Sequence, residues 1–250
     1  MTAPCDLLAR GPPETHGRCY DIPQNFGGYV GGESVKTELF EQLARVGKAL
    51  GSGKRLELLD LLAQGPRSVA DLAAAARLGL TTASSHLQAL KRAGLITSTR
   101  HGTTIEYALA GDDIATLWLQ LREVAERRVA DVRPATEAYL GPDDTEEIDR
   151  AELLRRVTAG TAIVLDVRPQ PEYAAAHIPG AVSIPLDELA GRLDEIPADQ
   201  EIVAYCRGAL CVFSHDAVRL LAEHGRRAVR LTDGFLEWRL AGHPIDTAVR

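Results

Sequence analysis

The spacing of apolar residues changes near residue 140, and that change restricts the chain to two unlike folds in tandem. From Glu38 onward, apolar residues follow helical patterns: Leu39, Leu43, Val46 and Leu50, then Leu56, Leu58, Leu59 and Leu62, and later Leu117, Leu121, Val124 and Val129. Beyond Gly141-Pro142-Asp143-Asp144 the pattern becomes short buried runs alternating with helical stretches. Those runs are Ile163–Val167, Val182–Ile184, Ile202–Tyr205 and Ala228–Leu231, the order expected of a mostly parallel sheet covered on both faces. At 250 residues the chain can bury two modest cores. The expected organisation is a loosely ordered arm over 1–37, a mainly α domain over 38–133, a linker over 134–148 and an α/β domain over 149–250.

Charge follows the same division. The chain carries 28 Lys and Arg against 35 Asp and Glu, a net −7 that argues against nucleic acid only if it is spread evenly. Between Glu41 and Ala110 there are nine basic and five acidic residues, whereas from Asp143 to Arg250 there are twelve and nineteen. A basic half joined to an acidic half implies two tasks. The N-terminus lacks a signal-peptide core and no run approaches the roughly 18 apolar residues of a membrane span, so the expectation is a cytoplasmic protein with no membrane partner.

In the basic half, helices over 38–50, 52–64, 68–76 and 82–92 precede a hairpin turning at His101-Gly102 and a long helix from Asp112 to about Arg133. Ser52, Ser68 and Thr81 or Thr82 are the expected caps. This is the element order of a winged helix-turn-helix. In the fourth helix Ala83, Leu87 and Leu90 share a face for burial. Thr81, Thr82, Ser84, Ser85 and Gln88 offer short polar groups to base edges, while Lys91, Arg92, Arg100 and His101 suit phosphates or a minor groove. The plainer alternative is a solvated helix face in a small bundle.

Arg55-Leu56-Glu57-Leu58-Leu59, Ser68-Val69-Ala70-Asp71-Leu72 and Thr81 to Leu90, continued by Gly94-Leu95-Ile96 and Gly102, resemble the ArsR/SmtB family of bacterial dimeric repressors. The resemblance implies a homodimer, built through the first and last helices, on double-stranded operator DNA. Metal-sensing members carry a Cys-x-Cys pair where this chain has Ser68 and Ala70. The thiolate ligands are missing, so no metal is expected here and the inducer must act elsewhere. No other cofactor is implied.

The acidic half contains Cys206-Arg207-Gly208-Ala209-Leu210-Cys211, set between a buried strand and a helix. Amides at such a junction and the following helix N-terminus favour an anion and can hold a thiol as thiolate, although a buried cysteine at a strand end is also common. Leu165-Asp166-Val167-Arg168, Glu172-Tyr173, His177-Ile178-Pro179-Gly180-Ala181 and Ile184-Pro185 resemble the N-terminal signature of rhodanese domains. Leu231 to Trp238 with Gly242-His243-Pro244 resembles the C-terminal one. The resemblance implies that Cys206 holds sulfane sulfur as a persulfide, cradled by the amides of Arg207, Gly208, Ala209 and Leu210. It also implies scaffold roles for Asp166, Arg168 and His177. Cys211 replaces the common basic residue or threonine, and Asp233 puts a carboxylate at the expected pocket rim; both disfavour thiosulfate. Cys211 is either a resolving thiol, closing a disulfide or trisulfide, or an apolar first-turn residue.

Two functions follow from this reading. One is a repressor that responds to a sulfane-sulfur donor (persulfide, polysulfide or thiosulfate) through Cys206. The other is a sulfurtransferase that uses a fused winged helix for localisation or dimerisation. In the first, any turnover is secondary to regulation. Cys5 and Cys19 are expected to be unremarkable exposed thiols.

Overall fold

The computed structural model describes residues 32–142 and 144–247; Cys5, Cys19 and the arm up to residue 31 lie outside the described residues. The chain divides into two units. The first, ending at Gln42, is described from Gly32 as the beginning of helix α1 (Gly32–Leu50), which therefore starts earlier than the Glu38 expected from spacing. The second, from Leu43, contains all other elements.

In the basic half follow α2 (Gly53–Ala63), β1 (Arg67–Ser68), α3 (Val69–Ala75), α4 (Leu80–Arg92), β2 (Ile96–His101), β3 (Thr104–Leu109) and α5 (Asp112–Arg128). The strands form an antiparallel sheet in the order β1-β3-β2. Leu58, Leu59, Leu62, Leu72, Leu87, Leu90 and Tyr107 fill the core, so the spacing that suggested helices also selected the faces that bury. Ser68 caps α3, its Oγ accepting from Asp71 N at 3.2 Å. Ser52 makes no side-chain cap bond, and α4 begins at Leu80 after Gly79 rather than after Thr81 or Thr82. The hairpin turns at Gly102 and Thr103, because His101 still pairs with Thr104.

The stretch expected as linker is largely structured. The long helix ends at Arg128, and α6 (Val132–Leu140) begins after a short break at Val129–Asp131. Pro134 lies in the first turn of α6, where N–H groups have no helical acceptor, so it starts a helix instead of interrupting one. Arg219 then fixes the following residues, donating to Pro142 O at 2.7 Å and to Asp144 Oδ1 at 3.0 Å.

The acidic half continues with β4 (Glu147–Ile148), α7 (Arg150–Thr158), β5 (Ala162–Asp166), α8 (Gln170–Ala175), β6 (Val182–Ser183), α9 (Leu186–Leu189), a 3-10 turn (Leu193–Glu195), β7 (Glu201–Tyr205), α10 (Val212–Glu223), β8 (Ala228–Leu231) and α11 (Phe235–Leu240). All pairings in the sheet are parallel, in the order β4-β8-β7-β5-β6. Central β7 supplies both layers: Ile202 and Ala204 bury on one side, Val203 and Tyr205 on the other. Among the described residues, no helix is long and apolar enough to cross a membrane.

The two halves share a core, since Ala63 of α2, Ala115 of α5 and Leu236 of α11 bury together with Trp118 and Leu240 packed on them. Gly65, at a φ of +146°, allows a close backbone approach. A Cβ there would lie 2.8 Å from that of Ala175 in α8.

Candidate functional site

The cysteine loop joins the end of β7 to the start of α10, with Cys211 as the residue before the helix. Cys206 is 2% exposed. Its Sγ lies 3.4 Å from Cys211 O, 3.7 Å from Gly208 O and 3.3 Å from Ser214 Oγ. Burial by itself would raise the thiol's pKa. Hydrogen bonding to the Cys211 side chain, to the Ser214 hydroxyl and to the backbone at Ser214 and Gly208 outweighs it, and Cys206 ends below its ordinary value. Cys211 moves well upward, because its hydrogen bond favours charge on Cys206 and burial adds to the effect. Within the pair, Cys206 is therefore the thiol that ionises more readily and Cys211 the one held neutral.

Backbone hydrogen bonding at Gly208 and Ser214 favours ionisation of Cys206, and that at Arg207 favours ionisation of Cys211. The amide of Cys211 is used within the loop, donating to Gly208 O at 3.0 Å. Ser214, which the sequence reading missed, brings its hydroxyl to 3.3 Å from Cys206 Sγ. Its position in the first turn of α10, where free N–H groups gather, is the signal that could have found it.

Around the loop, the helix-turn-helix half makes direct contact. Gln64, at the end of α2, donates from Nε2 to Arg207 O at 3.3 Å and accepts from Arg168 Nη1 at 3.4 Å. Glu172 receives Arg207 Nη2 at 2.6 Å and also the guanidinium of Arg67 from β1. Arg122 of α5 donates to Glu237 at 2.9 Å, and Glu237 in turn accepts from Gly234 N at 3.1 Å. Asp166 pairs with Arg168 at 2.6 Å and accepts from Tyr205 Oη at 2.5 Å, with both charged groups fully buried beneath the loop.

Cys211, 8% exposed, lines a cleft of about 500 Å³. Arg207, Leu210 and Phe213 line it from the acidic half, and Lys54, Glu57, Asp60 and Arg77 from the basic half. Tyr139 of α6 also lines it. Asp233, expected at this rim, is elsewhere: Arg150 of α7 holds it at 2.9 Å, in a separate depression with His243.

On the helix-turn-helix half, Thr81, Thr82, Ser85, Gln88, Lys91, Arg92, Arg100 and His101 are exposed and Ser84 is half-buried. Several already have partners. Gln88 Nε2 donates to Tyr107 Oη at 3.2 Å, Lys91 Nζ to Ser98 Oγ at 2.6 Å, and Arg100 Nε to Gly102 O at 2.9 Å. Arg92 shares a basic depression of about 330 Å³ with Arg45, Lys48 and Arg55.

Residues 52–98 match the bacterial regulatory protein, arsR family, and residues 149–241 match the rhodanese-like domain. The HTH-type transcriptional regulator Rv0324 of Mycobacterium tuberculosis is 54% identical over 218 residues, which cover 87% of this chain and 96% of that protein. A sulfurtransferase of Allochromatium vinosum is 34% identical over 101 residues, 40% of this chain and 92% of that protein. A solved homodimeric winged helix-turn-helix DNA-binding domain from Mycobacterium bovis is 49% identical, covering 38% of this chain and 89% of that one with a TM-score of 0.36. Identity along almost the whole of Rv0324, with both domains matched in order, makes this chain a member of the ArsR-type transcriptional regulators that carry a C-terminal rhodanese-like domain.

Proposed function

We propose that the chain is a cytoplasmic, dimeric repressor that binds double-stranded operator DNA and releases it when Cys206 takes up sulfane sulfur. The observation that carries this reading is the contact between the cysteine loop and the helix-turn-helix half: Gln64 bonds the carbonyl of Arg207, the residue next to Cys206. A change of sulfur state at Cys206 must rearrange that contact or strain it. A coupling of ~1–3 kcal/mol would change operator affinity about 5–150-fold.

The chemistry needs no external oxidant beyond the donor. The Cys206 thiolate attacks the outer sulfur of a hydropersulfide R–S–SH, forming Cys206–S–SH while the donor S–S bond breaks and R–S⁻ leaves. Cys211, once deprotonated, attacks Cys206 Sγ, closing a Cys206–Cys211 disulfide and expelling HS⁻. If a second sulfane sulfur is taken up first, the same attack one atom further out gives a trisulfide.

Val35, Leu39, Phe40 and Leu43 of α1 are large, apolar and exposed on a single chain, a face that a second copy would cover. Leu39→Glu combined with Leu43→Glu should give monomers by sedimentation.

The test of the whole reading is an operator titration paired with intact mass. Wild type treated with a hydropersulfide should gain sulfur at Cys206 and lose DNA affinity, and Cys206→Ser should do neither. If both release DNA alike, the proposal fails.

A further inference from the structure

Helix α4, the second of the helix-turn-helix, begins on a residue of the wrong chemistry for an ordinary helix start. Spacing in the sequence predicts its start after Thr81 or Thr82, whereas the structure starts it at Leu80, after an extended Gly79. A side chain of Ser, Thr, Asp or Asn commonly caps such an end, and an acid in the first turn offsets the helix dipole. Helix α3 has both, with Ser68 as its cap and Asp71 in its first turn. Helix α4 has neither: Gly79 has no side chain to cap with, and its first turn carries no acid. No side chain therefore compensates the N–H groups and the positive dipole end of α4, which suits the approach of a phosphate backbone.

Leu80 itself is 57% exposed. Leu78, two residues earlier, packs on the core of this half, and Leu80 stands outside it. Leu80, Ser84 and Gln88 follow one another at intervals of four and form one ridge along the helix. Gln88 and Lys91 are tied to the wing, through Tyr107 Oη at 3.2 Å and Ser98 Oγ at 2.6 Å. The ridge thus runs along the wing side of α4 and ends, at the N-terminus, in an aliphatic side chain. Because Cα–Cβ bonds tilt toward a helix N-terminus, that side chain is directed off the end of α4.

In this class of motif the N-terminal residues of the second helix meet base edges in the major groove. The apolar feature on those edges is the 5-methyl group of thymine. We propose that Leu80 reads a thymine methyl group in each operator half-site, so that α4 selects a T·A pair at its N-terminal end. The hydroxyls of Thr81, Ser84 and Ser85 donate to or accept from several bases and do not by themselves fix that pair. The proposal rests on the operator-binding reading above and is independent of the sulfur chemistry.

Duplexes that wild type enriches from a random library supply the probe. Each thymine of the enriched site is replaced in turn by uracil, which lacks only the methyl group. Wild type should lose affinity about fourfold at one thymine per half-site, the worth of one buried methyl group. Leu80→Ala, at an exposed position where alanine favours the helix, should no longer distinguish thymine from uracil there. Thr81→Ser, which removes a different methyl group and keeps the hydroxyl, should keep the distinction at that thymine. Sedimentation of Leu80→Ala should match wild type. Full discrimination by Leu80→Ala, its loss in Thr81→Ser, or a wild type indifferent to uracil at every thymine overturns the assignment. A changed oligomeric state in Leu80→Ala also overturns it, because the leucine would then serve a second copy. Failure of wild type to enrich any duplex overturns the operator-binding reading itself.

Discussion

Arg207 Nη2 lies 2.6 Å from Glu172 Oε1, and the same carboxylate oxygen accepts the guanidinium of Arg67 from β1. A nearly fully buried acid thus joins the residue after Cys206 to the sheet of the wing. Arg67→Met leaves Glu172 its loop partner and removes only the link to the wing. It should cost about 1.5–3 kcal/mol in denaturant unfolding, the scale of one hydrogen bond to a charged group. Cys206 should still gain sulfur by mass, while the drop in operator affinity on loading shrinks. An undiminished drop would show that coupling takes another route.

The Cys206–Cys211 pair sets a pH signature. The folded Cys206 thiol lies below its ordinary value, so its thiolate should appear at lower pH than that of an ordinary cysteine. Iodoacetamide labelling of Cys206 should therefore have a midpoint below that of the unfolded chain, and Cys211 a midpoint well above it. Cys211→Ala removes a hydrogen bond that favours the thiolate and should move the Cys206 midpoint upward. Cys211→Ser, which restores a donor, should bring it back toward wild type.

Gly234 is irreplaceable for a packing reason. A Cβ there would fall on the backbone of Gly208 and 2.5 Å from the carbonyl carbon of Arg207. Gly234→Ala should destabilise the protein by about 1–3 kcal/mol and slow sulfur uptake by displacing the loop. Thermal unfolding and mass-detected loading measure the two effects. Retention of wild-type loading would mean that the loop tolerates the shift.

Operator binding should weaken steeply with salt, since phosphate contacts release counterions. Lys91→Ala should lower the magnitude of the log–log slope by about one if Lys91 meets one phosphate. Gln88→Ala should leave the slope unchanged and relax preference at one base pair. Its amide must leave Tyr107 Oη to reach a base, so Tyr107→Phe should raise affinity for that base.

The parts legible in the sequence are those encoded by neighbours. The burial of Ala83, Leu87 and Leu90 follows from helical spacing, and the strand-loop-helix around Cys206 follows from a short apolar run and a glycine. The junction is different. Gln64 and Arg207 are 143 positions apart, and Arg67 and Glu172 are 105, so no local pattern connects them. Asp233 was misplaced for the same reason, because its partner Arg150 lies on a helix far away in the chain. The helix α6 was hidden by Pro134, which ends helices in most positions but not in a first turn.

Strand β4 is supplied by residues just ahead of 149, where the match to the rhodanese-like domain begins. It forms an edge of the five-stranded sheet against β8, with Arg230 N donating to Glu146 O at 2.8 Å and Thr232 N to Ile148 O at 2.9 Å. A gene rearrangement cutting at the domain border would expose that flank of β8 to any passing strand. The inheritable module is therefore longer than the domain, and the connector must travel with the half it completes.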